Sequence, residues 1–148
     1  MLKPGTRAPE FLLPDDEGDD VGLSALLQNG PLILYFYPAD FTPGCTKEAC
    51  AFRDRMADYG EAGIRVYGVS LDSPESHRLF REKYGLNFPL LSDESHEMLE
   101  GYGVWKPHPV YGMTIERSTF LIDGDGRIER AWRRVSPLGH ADEVVGAL

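Results

Sequence analysis

The chain has 148 residues, of which 42% are hydrophobic, and its 24 acidic and 15 basic residues give a net charge of −9. This size and composition suit one domain spanning residues 1–148, and the negative charge argues against binding nucleic acid or anionic membranes. No apolar run approaches the roughly 20 residues of a membrane-spanning helix. Because there are only two cysteines and no signal-peptide character at the N-terminus, we expect a cytoplasmic protein in which any disulfide is transient.

The first part of the chain predicts a small β-hairpin followed by a strand–helix–strand unit. Two short apolar segments flank an acidic turn, after which Ser24 is placed to cap a short helix that ends near Gly30. The next apolar run is typical of a strand buried on both faces, and a helical pattern and a second buried, parallel strand follow it. The predicted strands cover residues 11–13, 21–23, 32–37 and 64–70, and the longer helix covers residues 43–59.

The second part continues the alternation of helices and strands. Ser73 and Pro74 open a helix that ends at Gly85. Its predicted apolar stripe consists of Leu79, Phe80 and Tyr84. The chain then predicts a short strand (residues 88–92) and a brief helix (94–102). A hairpin with a glycine-rich turn (118–132) and a closing helix (139–148) follow. The pattern alone therefore predicts an α/β fold.

Both cysteines lie in the segment that follows the first buried strand. Thr42 and Pro43 suit the N-cap and first position of a helix, which places Cys45 in the first helical turn. Unpaired backbone N–H groups there favour an anion, and hence a thiolate. A glycine-preceded cysteine at a helix start favours a functional thiol for Cys45, whereas Cys50 is equally suited to the buried side of the helix. Two cysteines five residues apart do not match the usual zinc-ligand spacings.

The pattern Pro38-x-x-x-Thr42-x-x-Cys45, with a second cysteine five residues on and Arg117 opening the segment 117–123, resembles the peroxiredoxins, in particular the peroxiredoxin Q or bacterioferritin comigratory protein group. The similarity extends along nearly the whole chain, through residues 8–11, 103–105 and 139–142. It implies a thioredoxin-like fold with a central mixed β-sheet, flanking helices and an N-terminal β-hairpin.

One segment departs from the pattern of that group. The stretch between Trp105 and Arg117 is a few residues shorter than usual, and we expect Pro107-His108-Pro109 within it to form an extended loop bordering the active site.

The resemblance also implies a thiol-dependent peroxidase that reduces hydrogen peroxide and organic hydroperoxides. In such a cycle Cys45 becomes a sulfenic acid, Cys50 condenses with it to an intramolecular disulfide, and thioredoxin or a similar dithiol reduces that disulfide. If both cysteines lie in one regular helix, their Cα atoms are roughly 8.6 Å apart. A disulfide needs about 7 Å or less. We therefore expect the region of residues 42–52 to rearrange on oxidation.

A depressed thiol pKa alone does not make a fast peroxidase, because the gain in thiolate is nearly cancelled by the loss of nucleophilicity. The rate must come from groups that orient the peroxide and stabilise charge on the departing oxygen. The resemblance assigns Thr42 to hydrogen bonding with the peroxide, Arg117 to the cation beside the thiolate and Pro38 to shaping the pocket.

The residues themselves leave alternatives open. Thr42 also suits an ordinary helix cap. Arg53 or Lys47 is equally available as the cation in place of Arg117, and Lys47 is expected to be exposed. Glu48 either orients Arg117 through a charge-assisted pair or is an exposed helix carboxylate. The residues expected to line the substrate pocket are Tyr37, Phe41 and Gly44.

Other chemistries and functions find less support in the sequence. Its four histidines have no metal-ligand spacing and are expected at the surface or at helix caps; they are His77, His96, His108 and His140. No metal, haem or flavin is implied, and the protein is expected to be a monomer or weak dimer. The rival functions are a peroxide-responsive redox sensor acting through a partner protein, and a thiol–disulfide oxidoreductase. The latter usually carries C-x-x-C, whereas this chain has C-x-x-x-x-C.

Overall fold

The computed structural model describes residues 2–148. It has a central five-stranded sheet of order β5–β4–β3–β8–β9, and two separate two-stranded pairs, β1–β2 and β6–β7. The strands are β1 (Leu12–Pro14), β2 (Asp20–Gly22), β3 (Leu32–Phe36), β4 (Arg65–Ser70), β5 (Leu90–Ser92), β6 (Trp105–His108), β7 (Gly112–Ile115), β8 (Ser118–Ile122) and β9 (Ile128–Arg133). The helices are α1 (Leu23–Leu27), α2 (Pro43–Asp54), α3 (Met56–Glu61), α4 (Pro74–Tyr84), α5 (Glu97–Gly101) and α6 (His140–Val145).

The sheet is mixed, because β3 pairs parallel with β4 and antiparallel with β8. All residues of β3 are buried, and their side chains alternate between two hydrophobic clusters, as the pleat of a strand requires. Leu34 and Phe36 face one cluster, whereas Ile33 and Tyr35 face the other, which also contains Cys45. The α/β fold with a central mixed sheet, flanking helices and an N-terminal hairpin is confirmed.

Several predicted element boundaries are confirmed by local chemistry. Ser73 caps α4 by accepting a hydrogen bond from the N–H of Ser76 at 3.2 Å, and Gly85 ends that helix with a φ of 59°. The predicted stripe on α4 was wrong at Leu79, which is 48% exposed. Phe80 and Tyr84 face the interior as predicted, and His77 takes the place of Leu79, because residues three and four apart share one face of a helix.

The helix predicted over residues 43–59 is divided into α2 and α3 at Arg55, whose backbone leaves the helical range with φ −108° and ψ 8°. Beyond the break Tyr59 is fully buried and donates a hydrogen bond to the carbonyl of Ala141 at 2.7 Å. The prediction that Ser24 caps α1 was also wrong. The N-cap is Gly22, and both the hydroxyl and the N–H of Ser24 donate to the carboxylate of Glu10.

The segment after Trp105 is a hairpin rather than the expected loop. Pro107 lies within β6 opposite Met113 of β7, and His108 lies opposite Gly112. The backbone is extended as predicted, but its partner strand was missed. Within residues 2–148, no helix has the length and apolar character needed to cross a membrane.

Gly68 of β4 lies where the sheet meets the ring of Tyr35. A Cβ atom added there would lie 2.8 Å from Leu90 Cδ2 and 2.9 Å from Tyr35 Cζ. We predict that Gly68→Ala lowers the free energy of unfolding by about 1–3 kcal/mol through overpacking. Urea unfolding of the reduced protein measures this, with Gly124→Ala as the control, because a Cβ there meets no described atom within 4 Å. Equal effects of the two substitutions would contradict the prediction.

Candidate active site

Cys45 lies in the first turn of α2, directly after the loop that leaves β3. Thr42 is the N-cap residue with extended backbone and Pro43 begins the helix, as the sequence predicts. Cys45 is 1% exposed, whereas Cys50 is only partly buried on the same helix. Both are free thiols in the described chain. Access of a small molecule to the Cys45 sulfur is therefore restricted.

Arg117 is the cation that the structure places against Cys45. It immediately precedes β8, and the pairing of Ser118 with Phe36 brings it to the end of the sheet where the loop leaves β3. Its Nη2 donates to Cys45 Sγ at 3.4 Å. The alternative cation Arg53 is engaged elsewhere, with Nη1 donating to the carbonyl of Tyr84 at 2.6 Å.

Glu48 is fully buried and accepts a hydrogen bond from Arg117 Nη1 at 2.7 Å. It is therefore not the exposed helix carboxylate that the sequence also allowed. Burial raises the pKa of Glu48 to about 7, and Arg117 only partly offsets this. Burial acts to lower the pKa of Arg117, but Glu48 and Cys45 outweigh it, so the pKa lies above its usual value. Arg117 thus remains a cation that joins Cys45 to a buried carboxyl group.

The raised pKa of Glu48 predicts a pH-dependent stability. The carboxyl group ionises less readily in the folded chain than in the unfolded one, whose ordinary value is 4.5. Its contribution is therefore fully present below pH 4.5 and is lost as the pH rises through about 7. We predict that, over this range, Glu48→Gln gains about 3 kcal/mol in free energy of unfolding relative to the wild type.

Urea unfolding of the reduced proteins at pH 4.5 and pH 8 measures this difference. The exposed Glu82, changed to Gln, serves as the control and should show no such change. A constant difference between Glu48→Gln and the wild type at both pH values would contradict the prediction.

Gly44 allows the guanidinium to approach the helix. A Cβ atom at this position would lie 3.4 Å from Arg117 Nη2 and 3.4 Å from Pro137 Cγ. The structure therefore places Gly44 beside the Arg117 side chain.

Thr42 is exposed, and its hydroxyl donates to the carbonyl of Ala39 at 2.9 Å rather than capping α2. The residue occupies the N-cap position as predicted, but the expected side-chain cap is wrong. The hydroxyl oxygen keeps its lone pairs, and the rotor can redirect its proton toward a ligand. Pro38, at the start of the loop, is partly buried.

The two aromatic residues predicted to line the pocket, Tyr37 and Phe41, differ in burial. Tyr37 is fully buried, because it continues the alternation of Ile33 and Tyr35 into the cluster that contains Cys45. Tyr37 therefore packs in the same buried cluster as Cys45. Phe41 is 43% exposed, and its ring packs edge-on against Phe80 at a centroid distance of 5.1 Å.

Two histidines expected at the surface or at caps are buried. His140 lies between Thr119 Oγ1, 2.7 Å from its Nε2, and Glu143 Oε1, 2.9 Å from its Nδ1. Burial lowers the pKa of His140, and the hydrogen bond to Glu143 only partly opposes this. His77 is fully buried against Asp40. The sequence signal for His77 was its spacing of three residues from Phe80 on the inner face of α4.

Within residues 2–148, one buried group of potential metal ligands lies near the site. Asp40, Asp72 and His77 each offer an atom within 4.8 Å of the others. However, Asp40 Oδ2 lies 2.8 Å from His77 Nδ1, so these two atoms already form a hydrogen bond with each other. We therefore interpret the group as an internal hydrogen-bond network.

Comparisons with known proteins agree with this geometry. The model of the AhpC/TSA family matches residues 4–131. The putative peroxiredoxin bcp of Coxiella burnetii is 47% identical over 99% of both chains. A mutant of Xylella fastidiosa PrxQ has a TM-score of 0.94 at 36% identity, covering 99% of this chain and 95% of that one.

A third similar protein is the bacterioferritin comigratory protein of Xanthomonas campestris, whose alkyl peroxide reduction activity has been studied. Its structure gives a TM-score of 0.89 at 38% identity and covers 99% of this chain and 95% of that one. These similarities confirm the thioredoxin-like fold that the resemblance implied. The chain therefore belongs to the AhpC/TSA family and, within it, to the Bcp or peroxiredoxin Q group of peroxiredoxins, as the residues around Cys45 predicted.

Proposed function

We propose that the protein is a thiol-dependent peroxidase that reduces hydrogen peroxide and organic hydroperoxides. The observation that carries this proposal is the placement of Arg117, which donates from one guanidinium nitrogen to Cys45 Sγ and from the other to buried Glu48. A cation held against a buried sulfur is suited to stabilising the charge that develops when a thiolate displaces an oxygen leaving group.

In the proposed reaction the Cys45 thiolate attacks one oxygen of the hydroperoxide. The S–O bond forms as the O–O bond breaks, sulfur loses two electrons, and the second oxygen departs with a proton as an alcohol, or as water from hydrogen peroxide. Arg117 stabilises charge on the sulfur and on the departing oxygen, while the exposed hydroxyl of Thr42 positions the peroxide. Pro38 is proposed to shape and shield the peroxide-binding pocket.

Cys50 is proposed to resolve the resulting sulfenic acid, forming a disulfide with Cys45 and releasing water. Both residues belong to α2, so their Cα atoms are roughly 8.6 Å apart in the intact helix. That separation exceeds the about 7 Å that a disulfide tolerates. The resolving step therefore requires the first turns of α2 to unwind and release the buried Cys45.

The cycle is completed by a dithiol donor, which we propose to be thioredoxin or a similar protein. Thiol–disulfide exchange at the Cys45–Cys50 disulfide returns both sulfurs to thiols and leaves the donor oxidised. We further propose that the protein works in the cytoplasm, where such donors are kept reduced, as a monomer or weak dimer.

The test is stopped-flow consumption of hydrogen peroxide by the reduced protein, with and without a thioredoxin reducing system. We expect rapid oxidation that Cys45→Ser abolishes, and thioredoxin-driven turnover that Cys50→Ser impairs. Oxidation no faster than that of a free thiol would overturn the peroxidase proposal. Rapid oxidation without turnover by any dithiol donor would instead favour a redox sensor.

A further inference from the structure

A buried polar cluster lies beside the proposed site, and no role has yet been given to it. Its members come from three parts of the fold: the loop after β3, the end of β4 and the first turns of α4. The side chain of Asp40 at its centre is 1% exposed, and that of His77 is 0% exposed. The cluster consists of Tyr37, Asp40, Ser70, Asp72, Ser76 and His77.

The geometry requires a proton between Asp40 and His77. The Nε2 of His77 lies 3.0 Å from the carbonyl oxygen of Leu91, which can only accept, so Nε2 carries a hydrogen. Its Nδ1 lies 2.8 Å from Asp40 Oδ2. A bare Nδ1 would face the carboxylate lone pair to lone pair, so a proton must join the two atoms. The two side chains therefore form a direct hydrogen bond that is shielded from water.

Both carboxylate oxygens of Asp40 and its backbone N–H form hydrogen bonds within the cluster. Its Oδ1 accepts from the Tyr37 hydroxyl at 2.6 Å, and its Oδ2 also accepts from Ser76 Oγ at 2.8 Å. Its backbone N–H donates to Asp72 Oδ2 at 2.8 Å, and that oxygen in turn accepts from Ser70 Oγ at 2.6 Å. Asp40 therefore ties the loop to both β4 and α4.

Asp40 lies in the middle of the loop of residues 38–42, which contains the proposed peroxide-binding residue Thr42. Phe41, directly after Asp40, has a φ of 66°, a conformation that costs a residue with a side chain roughly 1–2 kcal/mol. Thr42 follows and donates its hydroxyl proton to Ala39, directly before Asp40. A shift of Asp40 would thus be passed to Thr42 and to the first turn of α2.

We propose that Asp40 and His77 are positioning residues of the peroxidase: their buried pair holds the loop of residues 38–42 so that Thr42 meets the peroxide in line with Cys45. This inference rests on the proposed function. A purely structural role would lower the reactivity of Cys45 toward every reagent. The positioning role instead predicts that the rate constant with peroxide falls much more than the rate constant with a reagent that needs no alignment.

The experiment compares two second-order rate constants for each reduced protein, one with hydrogen peroxide and one with iodoacetamide. Iodoacetamide alkylates Cys45 without needing the alignment that Thr42 provides, so it reports on access and thiolate alone. The variants are Asp40→Ala, His77→Leu and Asp40→Asn, compared in a Cys50→Ser background so that only Cys45 reacts. Asparagine can donate to a neutral His77 Nδ1 and still accept from Tyr37, so it restores the shape of the cluster.

Asp16→Asn is the matched control. Asp16 is 6% exposed and contacts the same helix through Arg81, but it lies outside the loop of residues 38–42. We expect Asp40→Ala and His77→Leu to lower the peroxide rate constant by about 100-fold, as a misplacement near 1 Å does, with alkylation changed by less than about threefold. Asp40→Asn should recover most of the loss, and Asp16→Asn should change neither rate.

Parallel losses in both rate constants, or an unchanged peroxide rate, would overturn the positioning role. Circular dichroism melting of each variant identifies any that fails to fold. Because Asp40→Ala and His77→Leu remove opposite partners of the pair, either one that folds decides the question. If neither folds, Ser76→Ala decides it, because it removes one hydrogen bond to Asp40 Oδ2 and should show the same selective loss to a smaller degree. A wild-type protein that reacts with peroxide no faster than a free thiol would overturn the proposed function itself. A fast wild type with equally fast variants would overturn only the inference about Asp40 and His77.

Discussion

Replacing Arg117 with lysine is expected to slow the reaction of reduced Cys45 with hydrogen peroxide by about 100-fold, and replacing it with methionine by about 1000-fold. The guanidinium donates to Cys45 Sγ and to Glu48 Oε1 from two different nitrogens. A lysine ammonium keeps the charge but lacks the planar fork that holds both contacts at once. Methionine removes the charge while keeping a side chain of comparable length.

Stopped-flow rate constants for Arg117→Lys and Arg117→Met measure this effect. Arg53→Lys is the matched control, because Arg53 is a partly buried arginine of the same helix as Cys45 that donates to the carbonyl of Tyr84 instead. It should retain nearly the full rate. An Arg117→Lys protein as fast as the wild type would show that the charge is sufficient and that the two-pronged contact is not required.

Oxidation by one equivalent of peroxide is expected to raise the hydrogen-exchange rates of the backbone amides of residues 46–50, in the first turns of α2, by at least about 100-fold, because their protection reflects the opening free energy of the helix. In the reduced protein this part of α2 is packed, with Cys45, Glu48 and Ala49 buried. The proposed disulfide cannot form across the intact helix, so the oxidised protein must keep these turns open. Mass spectrometry of deuterium uptake in both redox states measures the change.

Cys50→Ser provides the control for this experiment. Its Cys45 should be oxidised to sulfenic acid without a disulfide, so α2 should remain protected. Phe52, two residues beyond Cys50, stacks on Tyr35 at a centroid distance of 4.6 Å. Losing the burial of a phenylalanine costs about 3–5 kcal/mol, so we expect the opening to stop before this residue. Equal deuterium uptake in the reduced and oxidised wild type would contradict the proposed unwinding.

The sequence predicted those features that are encoded locally. The apolar run over residues 32–37 predicted the central strand, and Thr42-Pro43 predicted the start of α2, because these signals depend on neighbouring residues. The choice between Arg117 and Arg53 as the cation could not be made from local pattern. It depends on the pairing of Phe36 with Ser118, which are far apart in the chain.

The features that were missed depend on contacts between distant segments. Asp40 and His77 are 37 residues apart, and only the packing of α4 against the loop after β3 brings them together. His77 was expected at the surface or at a helix cap, and its spacing of three residues from Phe80 was the one local signal for its burial. For Asp40 and His77 the tertiary partner decides what the residue does. The burial of Tyr37, by contrast, follows locally from the alternation of Ile33 and Tyr35.

The two halves of the proposed site belong to elements of different mobility. Arg117 adjoins β8, which is hydrogen-bonded on both sides within the sheet, whereas Cys45 rides on the first turn of a helix that must open. In the proposed cycle Cys45 therefore moves with α2, whereas Arg117 remains beside β8. After reduction, Cys45 and Glu48 must return together with the first turns of α2 to Arg117, which stays beside the sheet, so we expect recovery of activity to require refolding of these turns.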